Sequence, residues 1–454
     1  MDLDLNVLFV VLMFASFVAL LISGYPVAWV LAGVGLIFAC TGELLNAQGI
    51  DVDADLMTLG LVVDRTYGTM SNYGLVPLPL FIFMGHMLDR SGVAAELLRA
   101  LQAVFGRLAG GLALAVTLLG VILAASTGII GASVALLGTL ALPAMLEDGY
   151  QPELAVGTVA AAGCLGILIP PSIMLVLMSD PMQLSVGDLF LGALLPGLLL
   201  ASLYLAYLGL RCAFRPSLAP AREGPPLRGA ELVAVGKALL PPLGLILLVL
   251  GSIFFGIVSP SEAAGVGAFG AALLAWAKGR LDLDTMRGVS QATGRTTSFI
   301  FAIFLGATCF SVVLRELGGD EVIEGAITAL PFGPTGIVVC LMALVFLLGF
   351  FLDWIEITLI VLPLMEPVTV TLGIDKLWFT MLVAVCLQTS FLPPPVGFAL
   401  FYLKGVAPPE VELSHLYRGI LPFVLLQLVG LAAVFLWPEL VTWLPEVAFG
   451  SGPG

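Results

Sequence analysis

Charge is scarce in this chain: Asp, Glu, Lys and Arg together make up 11% of its 454 residues. A water-soluble protein of this length needs far more polar surface, so that class is excluded. Histidine is almost missing. His86 and His415 stand far apart, with no metal-ligand spacing. None of the six cysteines (Cys40, Cys164, Cys212, Cys309, Cys340 and Cys386) forms a CxxC pair, and they read as small reduced core residues. An intramembrane enzyme would need a metal cluster, a Ser–Lys or Ser–His dyad or paired Asp motifs. Two lone histidines and one D-x-x-E pair do not supply that, and no enzyme is expected. The net charge of −14 argues against nucleic acid as a partner. A charged n-region with a small-residue cleavage site is also lacking, so the first apolar run, 7–22, reads as a spanning helix rather than a removable signal.

What the chain does have is apolar length. It is 60% hydrophobic, with a mean hydropathy of +1.13, which describes a polytopic protein whose partner is the lipid bilayer. Apolar stretches fall at 5–22, 26–41, 73–88, 189–210, 239–258, 262–277, 296–314 and 418–437. Between them, 111–178 and 334–403 are rich in Gly, Ser, Thr and Pro and do not divide into simple helices. The basic residues Arg211, Arg215, Arg222, Arg228 and Lys237 share one loop, which the positive-inside rule places in the cytoplasm. Counting spans from there puts the acidic 42–70 loop and both termini outside. The count works only if 111–148 and 334–372 each enter and leave on one side. Each is therefore expected to be a re-entrant hairpin, the first from the cytoplasm and the second from outside.

The two halves repeat. CLGILIPPSIM and CLQTSFLPPPV both put adjacent prolines where a membrane helix should continue. Pro143 matches Pro363, Pro170 and Pro171 match Pro393 and Pro394, and Pro196 matches Pro422. HMLDRSGVAAEL before the first hairpin rhymes with VLRELGGDEVIEG before the second. The expected fold is an all-α polytopic membrane protein, an inverted repeat with two re-entrant helical hairpins and two broken helices. Its divisions are scaffold helices and acidic loop (1–72), first repeat (73–210, broken helix 153–178), basic loop and central scaffold (211–295), second repeat (296–437, broken helix 374–403) and tail (438–454). The segments 91–108 and 315–331 read as amphipathic arms bracing a moving unit.

A double proline removes backbone donors and forces the preceding residue out of the helical region. An unpaired backbone group in hydrocarbon costs several kcal/mol, so such a break survives only inside protein or beside water. There its carbonyls can hold a cation and its half-helix N-termini can face an anion, the pattern of a secondary transporter. The candidate residues sit at these points. At the first hairpin tip they are Ser126, Thr127, Gly128, Gly131 and Ser133, which read either as ligands or as close helix packing. Around the first break they are Gly166, Pro170, Pro171 and Ser172. In the second hairpin they are Gly349, Asp353, Glu356 and Thr358. An acid in mid-membrane must face protein, water or a cation, so Asp353 and Glu356 are either a cation or substrate contact or a structural pair at the tip. Around the second break they are Gln388, Thr389, Ser390, Pro393, Pro394 and Gly397. No buried arginine announces a carboxylate clamp.

The stretches STGIIGASVALLG, GILIPPSIMLVL, SPSEAAGVGAF, FLDWIEITLIVLP and QTSFLPPPVGFALFYLKGVAP closely resemble the large membrane subunit of TRAP transporters, the DctM-like permeases. The last two look most like the branch labelled mannitol/chloroaromatic. The resemblance implies one subunit of a Na⁺-coupled tripartite importer in a bacterial or archaeal inner membrane. A periplasmic binding protein would deliver an organic acid, and a separate small four-helix membrane subunit would pack alongside. Hairpins and broken helices would move as an elevator, with Na⁺ as the coupling ion and no other cofactor. The implied Na⁺ region covers 126–133 with 166–172, and 349–358 with 388–397. The tip STGIIGAS departs from the serine-rich SGSS of other branches. A stand-alone ion-coupled organic anion symporter is the alternative reading.

Overall fold

The structure is a computed structural model that describes residues 5–127, 130–222 and 229–450. It is helical throughout, with no strand among the described residues. Eight helices or helical stretches are long and apolar enough to cross a membrane. The chain is a multi-pass membrane protein, and the expected hairpins and broken helices are present. The first hairpin pairs Gly111–Thr127 with Ile130–Leu140 and a short Leu142–Glu147 turn. The second pairs Pro334–Leu348 with Trp354–Glu356, a π-helical Ile357–Val361 and Leu362–Thr371. The first broken helix runs Pro152–Cys164, a 3-10 turn Leu165–Ile167, then Ile173–Met182. The second runs Lys376–Ser390, then Phe398–Val406.

Contacts between loops sort them onto two opposite faces. On one, Lys278 pairs with Glu96, the Arg222 amide donates to the Gly106 carbonyl at 2.8 Å, and the Gln151 amide to that of Leu218 at 2.8 Å. The first hairpin opens on this face. On the other, Ser261 Oγ donates to the Tyr73 carbonyl at 3.1 Å, Asn72 to Asp180, and Thr371 Oγ1 to Glu324 at 2.8 Å. The second hairpin opens there. The two halves are therefore inverted.

Packing carries the symmetry further than the proline pattern does. Helix Val27–Asn46 lies along Leu283–Glu316, and Pro260–Ala277 lies along Pro77–Arg90, each from one half onto the other. The helices before each expected repeat thus pair across the halves in matching fashion. Each arm starts at a glycine, Gly92 before Val93–Phe105 and Gly318 before Gly319–Thr328, and both have φ +74°. That left-handed turn suits glycine because it has no Cβ to clash.

Two expected loops are partly helical. The acidic 42–70 region holds the end of Val27–Asn46 and helix Thr58–Met70, which packs on Leu283–Glu316. Counted back from the two arm glycines, Thr58–Met70 and Pro77–Arg90 together occupy the register of the unbroken helix Leu283–Glu316. That helix is about 51 Å long at 1.5 Å per residue, so it stands well out of a ~30 Å hydrocarbon layer. The tail holds helix Glu439–Phe449, whose Phe449 ring closes over Gly187.

Helices Pro152–Cys164 and Leu413–Leu436 cross backbone against backbone. A methyl on Gly157 would meet the Gly419 carbonyl at 2.1 Å, and one on Gly419 would meet that of Glu153 at 2.3 Å. Neither backbone can step aside as a side chain can. Gly157→Val is expected to destabilise by at least the ~1–3 kcal/mol of an overpacked core. The check is the melting temperature of the purified chain, with Gly209→Val, which meets nothing within 4 Å, holding the wild-type value.

Candidate functional site

The two breaks are built on one plan. In the first, the helix tightens through Leu165–Ile167, and Ser172 stands extended (φ −117°, ψ 132°) ahead of Ile173–Met182. Ser172 Oγ donates to the Ile167 carbonyl, which the break leaves without its helical partner. In the second, Lys376–Ser390 stops before the prolines, and Gly397 (φ 57°, ψ 69°) starts Phe398–Val406. Pro170 and Pro171 are buried with everything around them, whereas Pro393 is half-buried and Pro394 is exposed. The first break is sealed in protein and the second reaches the protein surface.

Each hairpin lies along the near half of its own broken helix and also touches the far half of the other. Ile130–Leu140 packs on Phe398–Val406, and the Ile357–Thr371 stretch packs on Ile173–Met182. That exchange brings Gly131, Gly349, Ser390 and the acids into one region. Gly131 faces the Tyr402 ring, where a methyl would lie 2.8 Å from Cζ. Gly349 seats against Ser390, where a methyl would fall 2.1 Å from its Oγ. Ser133 and Gly166 are buried nearby in the first half. Gly128 lies outside the described residues, as do the side chains of Ser126 and Thr127.

The acids at the second tip are bound into the backbone. Asp353 caps the short helix Trp354–Glu356, its Oδ1 accepting from the Trp354 amide at 2.8 Å, while Glu356 Oε2 accepts from the Asp353 amide at 2.9 Å. The reciprocal pattern satisfies amides that a helix start leaves open. Of the two readings, the structural one is what the hydrogen bonds display. Thr389 and Ser390 likewise turn back onto their own helix, bonding the carbonyls of Val385 at 2.9 Å and Leu387 at 2.8 Å.

Two expected residues remain unspent. Gln388 is fully buried, and neither its amide nitrogen nor its oxygen has a partner among the described residues. Thr358 Oγ1, in the π-helical turn, is in the same condition. A buried polar group without a partner costs about 1–3 kcal/mol, so both are candidates for a ligand. Tyr204 and Gln427 also hold unpartnered buried atoms, but they adjoin each other where Val186–Phe214 meets Leu413–Leu436.

One residue escaped the sequence reading. Tyr402 packs on Gly131 of the first hairpin, its ring about 2.8 Å from where a methyl on Gly131 would lie. Its signal was a lone tyrosine in the apolar FALFYLK that follows the break. A polar cavity of about 510 Å³ approaches the second hairpin from the face carrying Asn72. Arg65, Asn72, Asp180, Ser311, Arg315 and Leu359 line it, so scaffold and hairpin share its walls.

These features define a class: a helical membrane transporter of inverted-repeat design, its site formed where two hairpins meet two broken helices. Residues 14–440 match the family model of the tripartite ATP-independent periplasmic transporters, DctM component, and the chain belongs to that family. It is 31% identical to the C4-dicarboxylate TRAP transporter large permease protein DctM of Pseudomonas aeruginosa, over 84% of this chain and 88% of that one. It is 26% identical to the sialic acid TRAP transporter large permease protein SiaM of Vibrio cholerae, over 96% and 98%. Among solved structures, the Alcanivorax borkumensis YdaH transporter shares the fold, with a TM-score of 0.61 over 85% of this chain and 90% of that one, at 16% identity.

The Gly349–Ser390 seat predicts a coupled pair. Gly349→Ala is expected to abolish uptake, and Ser390→Gly added to it to restore part of it, because the second change removes the side chain the new methyl strikes. At the cap, Asp353→Asn keeps a good capping residue and should fold like the wild type. Asp353→Ala should lose about 0.5–2 kcal/mol of stability. Uptake and melting temperature of the four variants check both points.

Proposed function

We propose that this chain is the large permease subunit through which an organic acid enters the cell, driven by a Na⁺ gradient. Its relatives are named for C4-dicarboxylates and sialic acid, both organic acids. The observation that carries the Na⁺ reading is the pair of buried, unpartnered groups on Gln388 and Thr358 at a helix break and a π turn. Oxygen ligands without internal partners, beside carbonyls freed by the breaks, suit a hard monovalent cation. The starts of Ile173–Met182 and Phe398–Val406 point backbone amides into the two breaks, and their dipoles favour the carboxylate of the substrate.

In this reading the hairpins and broken helices move together as an elevator against the scaffold. A small four-helix membrane subunit packs on that scaffold. A periplasmic binding protein loads the face that carries Asn72 and Asp180. The inner membrane holds the assembly, with both chain termini in the periplasm. The basic loop around Arg211–Arg222 supports that orientation, because it shares a face with Glu96 and Lys278.

Uptake by proteoliposomes holding this chain and the small subunit encoded beside it, with the binding protein loaded with candidate organic acids, tests the proposal. Uptake that needs both an inward Na⁺ gradient and the binding protein is expected. Gln388→Leu should reduce it at least tenfold, by analogy with the 10–100-fold cost of losing support for a bound ion. Uptake without the binding protein overturns the tripartite reading in favour of a stand-alone symporter, and uptake indifferent to Na⁺ overturns the coupling.

A further inference from the structure

The two arms do not brace the scaffold equally. The first, Val93–Phe105, has thirteen residues and buries Val93, Ala94, Leu97, Leu98 and Leu101, packing closely on helix Gly229–Phe254. The second, Gly319–Thr328, has ten, and its Val322, Ile323 and Ile327 are only half-buried. It is shorter by nearly one helical turn. Where symmetry would bring side chains against helix Leu5–Ile22, the structure has a cavity of about 360 Å³. Phe17 and Leu21 of that helix, Ile323 of the arm, and Leu344, Phe351 and Ile360 of the second hairpin are among its walls. Every residue lining it is apolar.

We propose that one acyl chain of a membrane phospholipid fills this cavity, lying between helix Leu5–Ile22, the second arm and the second hairpin. Water is a poor occupant, because it needs two to four polar partners and the walls offer no polar side chain. A partner helix does not fit, since a cylinder about 10–12 Å across would fill about 360 Å³ in only two or three residues. At about 30 Å³ for each small group, the share of one water molecule, the space takes about a dozen methylenes in file. The cavity is continuous with the lipid-facing surface, since Val18, Leu344 and Phe351 are exposed at its edge. The chain would separate a scaffold helix from the hairpin that carries Gly349 and Asp353. This inference does not depend on the coupling ion or on the substrate.

The test is native mass spectrometry of the assembly as extracted from membranes, counting phospholipids retained per chain after a delipidating detergent wash. Leu344→Trp fills the cavity, and Ile323→Thr keeps the arm's shape while placing a hydroxyl in the wall. The wild type is expected to keep one phospholipid that both variants lose. Leu247→Trp, at an exposed position of helix Gly229–Phe254, should keep it. Adding phosphatidylethanolamine in mixed micelles should raise the melting temperature of the wild type and not that of Leu344→Trp. Equal lipid counts and equal shifts in the wild type and both variants overturn the proposal. So does a photo-crosslinker at position 344 that captures protein rather than lipid.

Discussion

Backbone groups in hydrocarbon have no water to turn to, and the architecture follows from that. Two helices break at double prolines in mid-span, and each break must find its partners within the protein. The first does so with Ser172, which returns to the Ile167 carbonyl, and by complete burial. The second reaches the protein surface at Pro394. Hairpins that enter from opposite faces cover the breaks, and each touches both broken helices. Break, hairpin and inverted repeat are thus one solution to one constraint. Among the described residues, Gln388 and Thr358 keep buried side-chain atoms without a partner close to the second break and the second hairpin, and the proposed site is built on them.

Symmetry explains the scaffold as well. Each half lends a helix to the other, so the central pair of Pro77–Arg90 and Leu283–Glu316 is clasped from both sides. The departures from symmetry are informative. One copy of the long central helix is unbroken and the other is bent between Met70 and Pro77. One arm seals its groove with side chains, and the other leaves an apolar cavity of about 360 Å³.

Much of this was legible in the sequence wherever a residue type forces the backbone. Pro170, Pro171, Pro393 and Pro394 announced the breaks, and the count of spans from the basic loop announced the hairpins at 111–148 and 334–372. The acidic stretch 42–70 hid helix Thr58–Met70, because the acids Asp51, Asp53 and Asp55 that made it read as a loop lie just before the helix, which itself holds only Asp64 and Arg65 among charged residues. The pairing of Val27–Asn46 with Leu283–Glu316 and of Pro260–Ala277 with Pro77–Arg90 was illegible, since no local pattern records a contact between helices far apart in the chain. Asp353 and Glu356 read equally well as ligands or as a cap, because spacing alone does not show which amide a carboxylate meets. Tyr402 was missed because its role comes from tertiary packing against Gly131, which no local pattern records.

The most direct test of the central claim is the melting temperature of the purified assembly titrated with NaCl against KCl at constant ionic strength. A site completed by Na⁺ stabilises the folded state by mass action. The account predicts a saturable rise with Na⁺ that K⁺ does not give, and its loss in a Thr358→Val, Gln388→Leu double variant that still folds. Identical curves for the two salts, or a Na⁺ rise that survives in the double variant, would contradict it.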